Sequence, residues 1–290
     1  MSLLQLLESG GPFPIVLSGI LGLMVGSFLN VVVYRLPIMM DRAWRRESLD
    51  FLDLPNTVSN DQQPFDLTQP ASHCLNCGSS VLPWQNIPVI SYLLLGGRCA
   101  RCKTRISIRY PLVETLTALL SAVVVWHYGW NIQAMMALIL TWTLISLSLI
   151  DLDCQLLPDS ITLPVLWIGL AISTRTIFAD SHSAIIGAIT GYLSLWSVYK
   201  IFKWLTGKEG MGFGDFKLLA MFGAWMGWQV LPVIILMSSF VGALTGSLMI
   251  VFGKHKRSMP IPFGPYLSAA GWIVLLWGNQ LIEWYFKIIE

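Results

Sequence analysis

Charge is what this chain of 290 residues has least of. Only 12% of its residues are Asp, Glu, Lys or Arg, against 55% hydrophobic, and the mean hydropathy is +0.66. That scarcity excludes a soluble globule and describes a polytopic membrane protein. The formal net charge is +2, too small to suggest a nucleic-acid partner. Histidine is sparse as well: His73, His127, His182 and His255 are scattered, so neither a Ser-His-Asp constellation nor an HExxH motif is present. No GxGxxG follows a strand, which excludes a soluble Rossmann-type nucleotide domain.

What the chain does have is long apolar runs. A membrane-crossing helix needs about 20 mostly apolar residues, and such runs occur near 14–36, 112–128, 132–150, 160–178, 183–204, 215–228, 230–252 and 263–286, the sixth being short. The expected fold is therefore all-α, with about eight transmembrane helices. The first run has no basic segment before it and is followed by Arg35, Arg42, Arg45 and Arg46. It is expected to remain as an anchor with its N-terminus outside. In that orientation the segments after runs one, five and seven face the cytoplasm. Of the 18 Lys and Arg residues, all but Arg175 and Lys287 then fall on or beside that side, as the positive-inside rule requires. Three parts follow: an anchor helix over 1–36, a cytoplasmic domain over 37–111 and a membrane-embedded core over 112–290.

The insert between the first two runs is polar, and its middle, DLPNTVSNDQQPFDLTQPAS, reads as a loop or hairpin with no core of its own. SHCLNCGSS and GGRCARCKT supply what would order it. Cys74, Cys77, Cys99 and Cys102 form two CxxC knuckles separated by 21 residues, a spacing suited to tetrahedral Zn²⁺. Disulfides are the alternative, disfavoured on a reducing cytoplasmic side. Four thiolates leave no open position, so the metal is expected to be structural. His73 abuts the first knuckle as a bystander, and Cys154 stands alone.

From residue 112 onward acidic residues are few, and two groups need explaining: SLIDLDCQLLPDSITLP and GFGDFKLL. A carboxylate within hydrocarbon costs about 2.5 to 3.5 kcal/mol even on the lenient insertion scale, and less at a helix end. Asp159, after Pro158, is well placed to cap the fourth membrane helix, and Asp215 has the same bland alternative at the sixth. Asp151 and Asp153 are about 200° apart around a helix, so at most one points inward, and Asp151 extends the apolar run most directly. Two aspartates on one cytoplasmic face, at the ends of the third and sixth membrane helices, are suited to aspartyl protease chemistry. Two adjacent carboxyls do not ionise together, so one activates water while the other polarises a peptide carbonyl. A transporter or channel with proton-relay aspartates is the different-class alternative, weakened by the lack of an internal repeat. A third reading, an assembly scaffold, would not need the aspartate pair.

GSFLNVVVYRLP at 26–37, the paired CxxC knuckles, IDLDCQLLPDSITLP, GFGDFKLL and PIPFGPYL at 260–267 together resemble the type IV prepilin peptidases. These are bifunctional leader peptidases and N-methyltransferases of the bacterial inner membrane, in the GxGD aspartyl protease group. The resemblance implies that Asp151 and Asp215 are the catalytic pair. It also implies that the substrates are type IV prepilins or pseudopilins, cut at the cytoplasmic membrane face after a Gly and before a residue that is usually Phe. The new N-terminus would then be methylated with S-adenosylmethionine as donor. Residues for that second activity are expected in the insert, around Glu47, Gly96 and Gly97. Gly187, Gly191, Gly242 and Gly246 stand at GxxxG spacing and are expected to close helix packing. Lys217 is expected to face headgroups, and Arg35 to meet the insert or lipid phosphates.

Overall fold

The computed structural model describes residues 11–54, 64–252 and 262–289. Part of the insert's middle (55–63), the basic residues Lys254, Lys256 and Arg257, and Pro260 and Ile261 of the PIPFGPYL segment lie outside the described residues. All regular elements described are helical, joined by two isolated bridges, His73 with Ser80 and Arg98 with Arg105. Five helices among the described residues are long and apolar enough to cross a membrane. The chain divides into two compact units, Met1–Ala134 and Met135–Glu290.

The first unit contains α1 (Pro12–Phe51), a 3-10 turn (Pro83–Asn86), α2 (Ile90–Leu94) and α3 (Arg109–Tyr128). Helix α1 does not stop where its apolar run stops. It passes through Pro37 and continues to Phe51, because the segment beyond holds good helix formers and no glycine. Helices α1 and α3 run antiparallel at close range. A Cβ on Gly22 would lie 2.7 Å from the Ala118 Cα, and one on Gly26 would lie 2.8 Å from the Glu114 Cα. Glycine at these two places lets the backbones approach. Arg35, buried on α1, ties down the insert: Nη1 donates to the Asp66 carbonyl at 2.9 Å and Nη2 to the Pro70 carbonyl at 2.6 Å. The Arg42 guanidinium lies 4.4 Å from the Phe65 ring centre. Of the two roles open to Arg35, the insert is the one observed.

The second unit holds all but the first three residues of α4 (Ile132–Cys154), and α5 (Asp159–Ser173), α6 (Ser181–Thr206), α7 (Phe213–Met226), α8 (Leu231–Val251) and α9 (Gly264–Ile289). Helix α7 is its axis, with ten of its fourteen residues buried. A helix apolar all round needs neighbours on every side, and α5, α6, α8 and α9 supply them. This explains how α7 remains stable although fourteen residues span only about 21 Å, less than the roughly 30 Å hydrocarbon core. Gly187 and Gly191 of α6 sit against the α7 backbone at Gly223 and Ala220, which is the packing role expected of them. A Cβ on Gly242 would make only an ordinary 3.5 Å contact with Tyr266. Trp225 Nε1 donates to the Val165 carbonyl at 2.8 Å and fastens α7 to α5.

Candidate active site

Asp151 lies on the last turn of α4, and Asp215 on the first turn of α7. Both are buried, at 6% and 8% exposure, whereas Asp153 is exposed. The 200° offset between Asp151 and Asp153 thus sorts them as helical geometry requires. The negative charges of Asp151 and Asp215 act on each other, although 64 positions separate them in sequence (215 − 151). The N-cap of α7 is Gly212, which has no side chain to cap with, and Asp215 stands three residues on, at the N3 position of a capping arrangement. From there the carboxylate reaches back to the Gly212 amide.

A third helix end converges on the pair. The Gly264 amide, in the first turn of α9, donates to Asp151 Oδ2 at 2.9 Å. The first amides of a helix have no partner within it, so they suit a carboxylate. Any residue other than glycine would have to displace the carboxylate or the helix, since a Cβ on Gly264 would lie 2.6 Å from Asp151 Oδ2. Leu157, in the α4–α5 connection, fills the space beside it, and a Cβ on Gly214 would lie 2.7 Å from the Leu157 Cβ. GFGD and PFGPYL therefore serve one local structure, with glycines where backbone must approach side chain. Nothing in the spacing of the sequence pointed to Gly264 as a donor to Asp151, although PIPFGPYL was among the stretches that carry the resemblance.

The capping role expected of Asp159 is not what the structure shows. Pro158 occupies the N-cap position of α5, Asp159 is the first helical residue, and no side-chain cap is made. Its carboxylate receives Lys217 Nζ at 2.7 and 2.6 Å. Lys217 thus pairs with Asp159 rather than turning to headgroups, because a full opposite charge on the neighbouring helix start outweighs a weak N-cap bond.

In the first unit the ligand atoms of Cys74, Cys77, Cys99 and Cys102 all lie within 4.8 Å of one another. The knuckles are built alike. Gly78 N donates to the Cys74 carbonyl at 2.8 Å, and Lys103 N to the Cys99 carbonyl at 3.1 Å. Gly78 (φ 66) and Lys103 (φ 59) take the same left-handed position, so lysine stands in the second turn where a small residue serves the first. Cys74 and Cys102 Sγ are 3.7 Å apart, close to the edge of about 3.8 Å in a tetrahedron with Zn–S bonds of about 2.3 Å. The Thr104 hydroxyl and amide, with Asn76, hold the Cys102 thiol down at about 5, and the amides of Cys102 and Arg101 lower Cys99. Lowered thiols favour the thiolates that metal ions bind. The four cysteines are free thiols and could hold a metal ion. His73 stays outside the cluster, with Nδ1 at 3.0 Å from the Ala71 carbonyl.

Gly96 and Gly97 close the turn after α2, both at positive φ (59 and 66). Space is open beside Gly96, while Gly97 packs on the Tyr92 ring. Glu47 is exposed on the extension of α1 beyond its apolar run, and no described hydrogen bond or ion pair joins it to either glycine.

Comparison with known proteins accounts for most of the chain. The profile described as "Bacterial Peptidase A24 N-terminal domain" matches residues 20–128, and that of the "Type IV leader peptidase family" matches residues 138–247. A "Prepilin leader peptidase/N-methyltransferase" of Pseudomonas putida is 54% identical over 281 residues, 97% of this chain and 96% of that protein. One of Pseudomonas aeruginosa is 54% identical over 288 residues, 99% and 98% of the two chains. One of Neisseria gonorrhoeae is 49% identical over 264 residues, 91% and 90%. No solved structure matches. With both profiles matching in chain order and relatives aligned from end to end, the chain belongs to the type IV leader peptidase family.

Proposed function

We propose that this protein is a membrane endopeptidase that removes the leader of type IV prepilins or pseudopilins and then N-methylates the exposed residue. The observation that carries the peptidase half is the pair itself: two buried carboxylates from distant helix ends, acting on each other. Two buried carboxyls within range of each other's charge do not both ionise readily, so one keeps its proton. The ionised one takes a proton from water as it attacks the scissile carbonyl, and the protonated one donates to that carbonyl oxygen. The Gly264 amide orients Asp151 for this task. An apolar wall of Leu157 and α7 keeps bulk water from the pair, which strengthens every charge interaction within it.

The remaining features fit the same reading. The chain would span a bacterial inner membrane about eight times, with α5, α7 and α9 joining the five long apolar helices and the aspartates near the cytoplasmic face. The three parts over 1–36, 37–111 and 112–290 would be anchor, metal-ordered insert and protease core. The metal would be one Zn²⁺ held by Cys74, Cys77, Cys99 and Cys102, structural because thiolates take all four positions. Methyl transfer from S-adenosylmethionine would belong to the insert, with Glu47, Gly96 and Gly97 the first residues to test. The open space beside Gly96 and the exposed carboxylate of Glu47 are compatible with a ligand.

The test is incubation of the purified protein with a prepilin, following leader loss and methyl incorporation. Asp151→Asn and Asp215→Asn should each abolish cleavage, since an amide keeps the shape but cannot exchange the proton, while Asp153→Asn should retain it. Cleavage by either of the first two variants would remove that residue from the mechanism.

A further inference from the structure

The buried carboxylate that the peptidase reading leaves unused is Glu114, 7% exposed on α3. Its Oε2 accepts the backbone N–H of Val89 at 2.7 Å, and Ser27 of α1 bonds to it as well. Val89 has φ 58 and ψ −48, a positive-φ conformation that is an outlier for a β-branched residue. The insert therefore holds a strained turn against the side of two membrane helices, by one specific bond.

The depth of that bond follows from helix rise. Glu114 is five residues past Arg109, about 7.5 Å along α3. Gly26, whose backbone faces the Glu114 Cα, is nine residues before Arg35, about 13.5 Å along α1. Asn30, which donates to the Tyr110 carbonyl at 3.3 Å, fixes the same antiparallel register between the two. Both helices thus put Val89 on the apolar side of their cytoplasmic ends, where water does not satisfy an amide and a protein acceptor must.

The residues that follow are arranged inside out. Helix α2 turns Ser91 inward, at 9% exposure, and leaves Ile90, Leu93 and Leu94 outward, the last two 71% and 75% exposed. Trp84 and Ile87, just upstream, are exposed too. In water this polarity would be reversed. It matches an apolar surrounding, as does the exposure of Leu112, Leu116 and Leu119 on α3. A tryptophan at the edge of such a segment suits the headgroup level.

We infer that residues Trp84–Leu94 form a short re-entrant wedge whose outward face lies among the lipid acyl chains, with Glu114 satisfying the one amide that this depth strands. The second metal knuckle begins five residues later at Cys99, so the wedge moors the tetracysteine cluster to the membrane surface. This assignment is independent of the catalytic pair.

The experiment is lipid-phase photolabelling. The wild-type protein is reconstituted in phosphatidylethanolamine and phosphatidylglycerol vesicles with a membrane-soluble aryl diazirine, and adducts are located by tandem mass spectrometry. Residues 90–94 should be labelled as strongly as Leu116 and Leu119 and about fivefold or more above residues 66–72. In the Leu93→Asp, Leu94→Asp double variant that excess should vanish, with labelling of α3 unchanged. Wild-type labelling of 90–94 no higher than that of 66–72 would overturn the inference, whether water, a substrate or a second copy covers that face. The wild-type measurement decides even if the double variant does not fold.

Discussion

Replacing Gly264 by alanine tests the convergence of helix ends at Asp151. The added Cβ would stand 2.6 Å from Asp151 Oδ2, 3.1 Å from its Cγ and 3.3 Å from Leu157 Cδ2. The first distance is too short to persist, so the carboxylate or α9 must move. Leu157 blocks one direction, because it is itself wedged against Gly214. The outcome is loss of the 2.9 Å amide bond and displacement of the carboxylate. A hydrogen bond to a charged group contributes about 1.5 to 3 kcal/mol, which corresponds to roughly 10- to 150-fold in rate if all of it is felt in the transition state. The assay is steady-state cleavage of a prepilin by detergent-solubilised enzyme. kcat should fall within that range, with KM within about twofold of wild type, because substrate contacts are not removed. Gly242→Ala, whose Cβ would make ordinary contacts with Tyr266 at 3.5 Å and Phe263 at 3.9 Å, is the matched control and should cleave normally. A Gly264→Ala enzyme with kcat within about threefold of wild type would refute the positioning role of α9.

Three further outcomes are expected. Metal analysis should find one zinc per chain, and Cys102→Ser should release it and expose residues 64–108 to protease while α4–α9 stay resistant; metal-free wild-type protein with an ordered insert would defeat this. Asp159→Asn or Lys217→Met removes a half-exposed ion pair, so each should lower stability by about 1 kcal/mol or less, and the charge-swapped double variant should recover part of it. A thermal-unfolding loss several times larger would mean that the pair is a buried strut. Asp215→Asn should still methylate a substrate supplied already cleaved, whereas Glu47→Gln and Gly96→Ala should depress methylation more than cleavage. Proportional loss of both activities in every variant would point to one shared site.

Much of the site was legible because its chemistry is scarce. In so apolar a chain each carboxylate demands a reason, and helical phase alone separates Asp151 from Asp153. The CxxC pairs were legible because two residues between thiols force both onto one metal-sized turn. Asp159 and Lys217 were misjudged for a related reason. Capping and headgroup rules treat each helix alone, and the ion pair exists only because two helix starts from different parts of the chain adjoin. The turn at Val89 left no trace in the pattern, since valine is the last residue that local rules would put at positive φ.

The sequence by itself determined the class, the helical runs, the tetracysteine set and the candidate aspartates. These rest on hydropathy and short-range spacing, which the chain carries locally. Tertiary structure alone decided that α7 is sheathed by protein and so remains stable at fourteen residues, that α9 presents the Gly264 amide to Asp151, and that Glu114 serves the insert rather than the aspartate pair. The last two join groups 113 and 25 residues apart. No periodicity encodes such a meeting; it follows from which helices pack closely enough for a backbone amide to reach a carboxylate.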